Sequence, residues 1–242
     1  MLGAIMQPTY LPWCGYFDLI DSVDIFVFLD DVKLEKSSWQ TRNRVKSANG
    51  EIMLTVPVST PKGRMEAKIN KTPISSHAPW RKKHLKTLVA CYQKAPFFKE
   101  VFPFLEDLIN QPESQLSSLN TKIIKAISHR LGINTEFVLS SELNEISGVK
   151  DERLVSICQQ LGISHYLSPV GSADYLEKES PGGAVSKAGI TLSYQSFTHP
   201  TYTQLYGDFD SHLAAIDLLF NCGFEQSIKL IRSGSDRGKL IS

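Results

Sequence analysis

The chain has 242 residues, 42% hydrophobic and 21% charged, the composition of an ordinary soluble protein with room for one large α/β domain. Lys and Arg total 26 against 25 Asp and Glu, a formal net charge of +1, which argues against a general nucleic-acid binder or an acidic tail. The four cysteines, Cys14, Cys91, Cys158 and Cys222, form no CxxC pair; that speaks against a zinc knuckle and fits a reducing compartment.

Ala4–Met6 is a short apolar strand that begins almost at Met1. It leaves no room for a signal peptide, and no apolar run reaches the length of a membrane span, so a cytoplasmic protein is expected. A turn stiffened by Pro8 and Pro12 follows, then a helix over Gly15–Asp21. The continuous apolar run Asp24–Leu29 reads as a strand buried on both faces. Ile52–Val58 reads as another, entered through the turn signal Asn49-Gly50, with Pro57 placing its far end at an edge.

Helical periodicity then takes over. Helices are expected from Pro79 to about Gln93, over Phe97–Ile109 and over Ser114–Leu131, the last closed by Gly132. Thr135–Leu139, His165–Ser168 and Thr191–Gln195 are strands, and Asp151–Leu161 and Ser211–Phe220 are helices. Strand, helix, glycine, strand is the rhythm of βαβ units. The expected fold is α/β, a mostly parallel Rossmann-like sheet in a single domain over 1–232, with a helical insertion at about 79–131 and a loose tail over 233–242.

Ligands of open α/β sheets bind beyond the carboxyl ends of the strands. The first turn lies there and carries Gln7, Tyr10, Trp13 and Tyr16. Gln7 can read a ring or a phosphate as donor and acceptor; the aromatics stack on a base or sugar, or form a packed corner. Arg42, Arg44 and Lys46 alternate and share one face of an extended chain. That stripe suits a diphosphate, with Trp39 and Asn43 adding stacking and an amide, or it guards a strand edge. Asp30 closes an apolar strand, and His199 follows another; either is placed to act as a general base, or as a structural residue. Ser168, Gly171 and Asp174 form a Gly/Ser turn whose amides suit an anion, without a Walker lysine. Gln204 completes the polar set. The pair Asp30-Asp31 at a strand end also suits a metal, or a turn, and Cys14 has no nameable base partner.

Gln7-Pro-Thr-Tyr-Leu-Pro-Trp-Cys-Gly-Tyr-Phe17 resembles the opening signature of the WbqC-like family. So do Trp39-x-x-Arg-Asn-Arg-Val-Lys46, Leu54-Thr-Val-Pro57, Lys94-Ala-Pro-Phe97 and Tyr166-Leu-Ser-Pro-x-Gly171 with Asp174-Tyr-Leu176. The match continues through His199-Pro-x-Tyr-x-Gln204 and Ile216-Asp-Leu-Leu-Phe-Asn221. The family is associated with gene clusters for bacterial O-antigen, part of lipopolysaccharide, and other surface polysaccharides. The resemblance implies a transferase acting on a nucleotide-linked amino sugar. The favoured reaction is acyl or aminoacyl transfer from an acyl-CoA, an acyl-carrier protein or another activated donor. Pro8-x-x-x-Pro12-Trp13-x-Gly15-Tyr16 is also laid out like the His-x-Gly-His turn of nucleotidylyltransferases, with Trp13 and Tyr16 at both His positions. A reworked nucleotidyltransferase and a non-catalytic scaffold subunit of a glycan-assembly complex are the alternatives.

Overall fold

The computed structural model describes residues 1–35, 38–60, 63, 66–169, 171 and 182–236. Five apolar segments build its main sheet: β1 (Leu2–Met6), β2 (Ile25–Phe28), β5 (Glu136–Leu139), β6 (His165–Ser168) and β7 (Thr191–Tyr194). All four pairings are parallel, in the order β5-β2-β1-β6-β7. Counted along the sheet-forming strands, this is the 3-2-1-4-5 order of a Rossmann-like sheet. The chain leaves β5 at one edge and returns on the far side of β1. The switch point therefore lies between the carboxyl ends of β1 and β6.

Helices cover both faces, which is why β2 is apolar at every position. Phe26 and Phe28 face a large core shared by α1 (Cys14–Asp21), α2 (Trp80–Tyr92), α3 (Phe98–Asn110), α4 (Leu116–Arg130) and α7 (Ile216–Gly234). Ile25 and Val27 face a smaller core with α5 (Asp151–Leu161) and α6 (Gly183–Lys187). Between β2 and β5 the chain first makes an antiparallel hairpin, β3 (Arg42–Ser47) and β4 (Gly50–Thr55), and then α2, α3 and α4. The expected strand over 52–58 is thus half of this separate two-stranded sheet and ends at Thr55, ahead of Pro57.

The last helix differs from its expected span. Ser211–Ala215 is not helical, and α7 runs from Ile216 past Phe220 to Gly234. Asn221-Cys-Gly223 imitates a helix stop, and Gly223 does break helical geometry with φ +70°. The chain resumes beyond it because the kink seats the Phe97 ring: an added Cβ at Gly223 would lie 2.6 Å from it. Residues 234 and 236 are bonded back to the segment 196–198. Thr198 donates its amide to Gly234, and Asp236 donates to Ser196.

Candidate functional site

The first turn, residues 7–13, sits at the carboxyl end of β1 and is held from three directions. Asn120, fully buried on α4, donates to the carbonyls of Pro8 (3.1 Å) and Gln40 (2.8 Å). Asn43 on β3 donates to those of Tyr10 (3.3 Å) and Leu11 (2.6 Å). Tyr16 donates its hydroxyl to the Gln7 carbonyl at 3.0 Å. These clamps hold Leu11 at φ +46°, which a branched side chain rarely adopts. Gln40 Nε2 donates to Gln7 Oε1 at 2.8 Å and sets the Gln7 carboxamide.

Tyr10 is a correction to the expected pocket. Its ring is fully buried, and its hydroxyl meets His84 Nδ1 at 3.0 Å. His84 Nε2 donates to the Thr55 carbonyl at 3.2 Å; in the neutral imidazole Nδ1 then accepts from the Tyr10 hydroxyl. Burial pushes the His84 pKa down from 6.5 to about 4. The unfolded chain therefore takes up a proton first as pH falls below 6.5, and stability is lost between pH 6.5 and about 4. The expected loss is about 3 kcal/mol over that window. Urea midpoints of the wild type and of His84→Gln, measured from pH 7 to 4, test this; equal slopes for the two would refute it.

Trp13, at the N-cap of α1, folds its ring over Gly15, where an added Cβ would lie 2.4 Å from the ring. The segment 212–215 is stitched alongside. Ala214 donates its amide to the Arg44 carbonyl (2.9 Å) and Ala215 to the Pro12 carbonyl (2.8 Å). The result is a cavity of about 390 Å³ lined by Met6, Thr9, Pro12, Trp13, Tyr16, Trp39, Asn43, Arg44 and His212. Its walls are largely apolar and aromatic, with one guanidinium and one imidazole. His212 lies with its ring 5.0 Å from that of Trp13 at 26°. The Arg44 guanidinium stands 5.5 Å from the exposed Trp39 ring. It is held by both oxygens of Glu51 at 2.9 Å and by the His212 carbonyl at 3.3 Å.

The basic stripe is only partly in this site. Arg44 and Lys46 do share a strand face, but the segment 204–212 covers it. Lys46 is 3% exposed, donates to Gln204 Oε1 and the Asp208 carbonyl, and pairs with Asp210 at 3.4 Å. Gln204 in turn donates to Asp217 Oδ2 (2.9 Å) and the Asp210 carbonyl. Tyr92 and Tyr202 each donate to Asp217 at 2.8 Å. Burial raises the Asp217 pKa, against those three donors and the nearby Lys46. Lys46 and Gln204 are therefore buried structural groups and not ligand contacts. Arg42 pairs with Thr55 across the hairpin and does not line the cavity.

Asp30 is likewise spoken for. Its carboxylate, 2% exposed, accepts from the hydroxyls of Ser117 (3.0 Å) and Ser141 (3.0 Å) and from the Ser141 amide (3.1 Å), while the neighbouring Ser140 hydroxyl gives its hydrogen to Asp31 at 2.6 Å. Three donors and near-complete burial hold this carboxylate within the protein, and it does not line the cavity. Asp30 ties β2 to the loop after β5 and is not a base. His199 lies behind the cavity wall, 6.2 Å from Trp13 and 5.3 Å from His212 between ring centroids. It donates Nδ1–H to the Pro200 carbonyl at 2.9 Å, and burial lowers its pKa. Ser168 is fully buried, with its hydroxyl 3.4 Å from the Pro169 carbonyl, and Gly171 is exposed. Asp174 lies outside the described residues. His212 escaped the sequence reading because 211–215 reads as the start of a helix, whereas it is a non-helical segment beside the first turn; Thr9 lies in that turn but has neither ring nor charge to single it out. Among the described residues no cluster of His, Cys, Asp and Glu could hold a metal ion, and no helix is long and apolar enough to cross a membrane.

Sheet order and topology define a Rossmann-like α/β protein, with a cavity at the carboxyl end of β1. The chain matches the model of the WbqC-like protein family over residues 7–229, and it belongs to that family. It is 35% identical over 224 residues to "Uncharacterized protein Rv1507c" of Mycobacterium tuberculosis, covering 92% of this chain and 94% of the relative. No solved structure gives a significant match.

Proposed function

We propose that the protein is a transferase of surface-polysaccharide assembly that acylates the amine of a nucleotide-linked amino sugar. The observation that carries this is the cavity at the carboxyl end of β1, where three aromatic rings, Trp13, Tyr16 and Trp39, surround a space that one guanidinium and one imidazole also reach. Aromatic faces suit a base or a sugar. Arg44 offers a fork for the diphosphate; its present partner Glu51 is 39% exposed, and such a pair is weak enough to exchange. His212 takes the proton of the attacking amine. The amine nitrogen bonds to the acyl carbon of an activated thioester donor, the carbon–sulfur bond breaks, and the proton passes to the leaving thiolate.

Thermal shift against UDP- and dTDP-linked amino sugars, free nucleoside diphosphates, acyl-CoA and ATP with Mg²⁺ tests the reading. Nucleotide amino sugars should raise the Tm. Arg44→Ala should weaken their binding by about 10- to 100-fold, the worth of a charge-assisted phosphate contact. A shift with ATP and Mg²⁺ alone would point to nucleotidyl transfer instead, and unchanged affinity in Arg44→Ala would remove the diphosphate role.

A further inference from the structure

Positive charge is unevenly spread along this chain. Residues 61–94 hold nine Lys and Arg against a single Glu, in a protein whose net charge is +1. Much of that excess lies on α2, which has no acidic residue. Arg81 is consumed by the helical block itself, donating to the carbonyls of Ile109 (2.9 Å) and Glu113 (2.6 Å). Lys82, Lys83 and Lys86 are exposed and make no ion pair among the described residues.

Two of these lysines border a groove between α2 and α3 of about 520 Å³. Leu85, Val89 and Phe102 are its half-buried apolar lining; Lys82 and Lys86 flank them from α2, and Glu106 from α3. The lining residues recur at three- and four-residue spacing, so each helix contributes one continuous stripe. From Lys82 to Val89 the stripe is about 10 Å long at 1.5 Å per residue. That is the length of roughly two helical turns. An apolar groove of this length suits the apolar face of a short helix.

We propose that this groove docks an amphipathic helix with acidic flanks, presented by a carrier protein that delivers a thioester-bound acyl group. The partner's identity rests on the acyl-transfer reading above; its acidity and helical shape rest on the groove. Lys82 and Lys86 would meet the acidic flank and speed encounter, as complementary charge does. A flat anionic bilayer fits less well, because the site is concave and Glu106 repels a uniformly negative surface.

The test is titration of a ¹⁵N-labelled bacterial holo acyl carrier protein with the full chain at low salt. Shifts should map to one acidic helix of the carrier, with an affinity of about micromolar, and fade as salt screens the lysines. Lys82→Glu combined with Lys86→Glu should weaken binding by about 10-fold or more, and Glu106→Gln should tighten it. Absent shifts, or equal shifts with the double variant, would overturn the proposal. So would partition of the wild type onto phosphatidylglycerol vesicles without carrier binding. Nucleotide-sugar thermal shifts run on the double variant keep the two readings apart. If the sugar shift persists and carrier binding is absent even in the wild type, the groove proposal alone fails. Carrier binding without any sugar shift overturns the cavity reading and leaves the groove standing.

Discussion

Asp217→Ala should lower the unfolding free energy by about 3–5 kcal/mol, the cost of breaking a buried charged network from one side. The size follows from what is left behind. Tyr92, Tyr202 and Gln204 each lose an acceptor at 2.8–2.9 Å. Each orphaned buried donor costs about 1–3 kcal/mol. Lys46, buried nearby, loses the Coulombic attraction of Asp217 while keeping its bonds to Gln204, the Asp208 carbonyl and the half-exposed Asp210. Against a typical total of about 5–15 kcal/mol this approaches global unfolding. Asp217→Asn keeps one accepting oxygen and should cost less. The substitution Lys46→Met should cost less in Asp217→Ala than in the wild type, a coupling of about 0.5–3 kcal/mol. Urea unfolding of the four proteins reads these differences. A loss below about 1 kcal/mol in Asp217→Ala would show that the network carries no stability.

That network also explains where the sequence misleads. Alternation of Arg42, Arg44 and Lys46 correctly announces an extended strand, and Asn49-Gly50 correctly announces its turn. Nothing local announces that the segment 204–212, more than 150 residues away, lies over Lys46. The same charged face therefore reads as a ligand stripe until its cover is seen. Strands with continuous apolar character, such as Asp24–Leu29, were legible because both of their faces are buried. Their order was not, since pairing of β2 with β5 depends on contacts across the whole helical block. The first turn was legible as a cavity wall from its density of aromatics at a strand end. The division of labour within it was not. Tyr10 turns inward to His84 while Trp13 turns to the cavity, joined there by Tyr16 of α1, and no spacing rule separates them. Asp30 reads as a base because it ends a strand; the serines that hold it, Ser117 and Ser141, come from α4 and from the loop after β5.

His212→Asn should reduce turnover by about 10²- to 10⁴-fold while changing substrate affinity little, the range expected on removing a general base. Three features place the imidazole for that role. Its ring lies against Trp13, which itself is packed over Gly15. Its backbone sits at φ +60° and its carbonyl is fixed by Arg44. Its Nδ1 lies 2.8 Å from Ser211 Oγ, which leaves Nε2 for the substrate. His199 has the opposite character. It sits behind Trp13, donates Nδ1–H to Pro200, and acts on the cavity through the rings it supports. His199→Asn should therefore shift KM and kcat together by a modest factor, through a displaced Trp13 and His212. The two variants must be read side by side, with acyl transfer followed on the nucleotide amino sugar that gives the largest thermal shift. Full turnover in His212→Asn, with loss in His199→Asn, would move the base to His199 and require the Trp13 ring to swing aside when substrate binds.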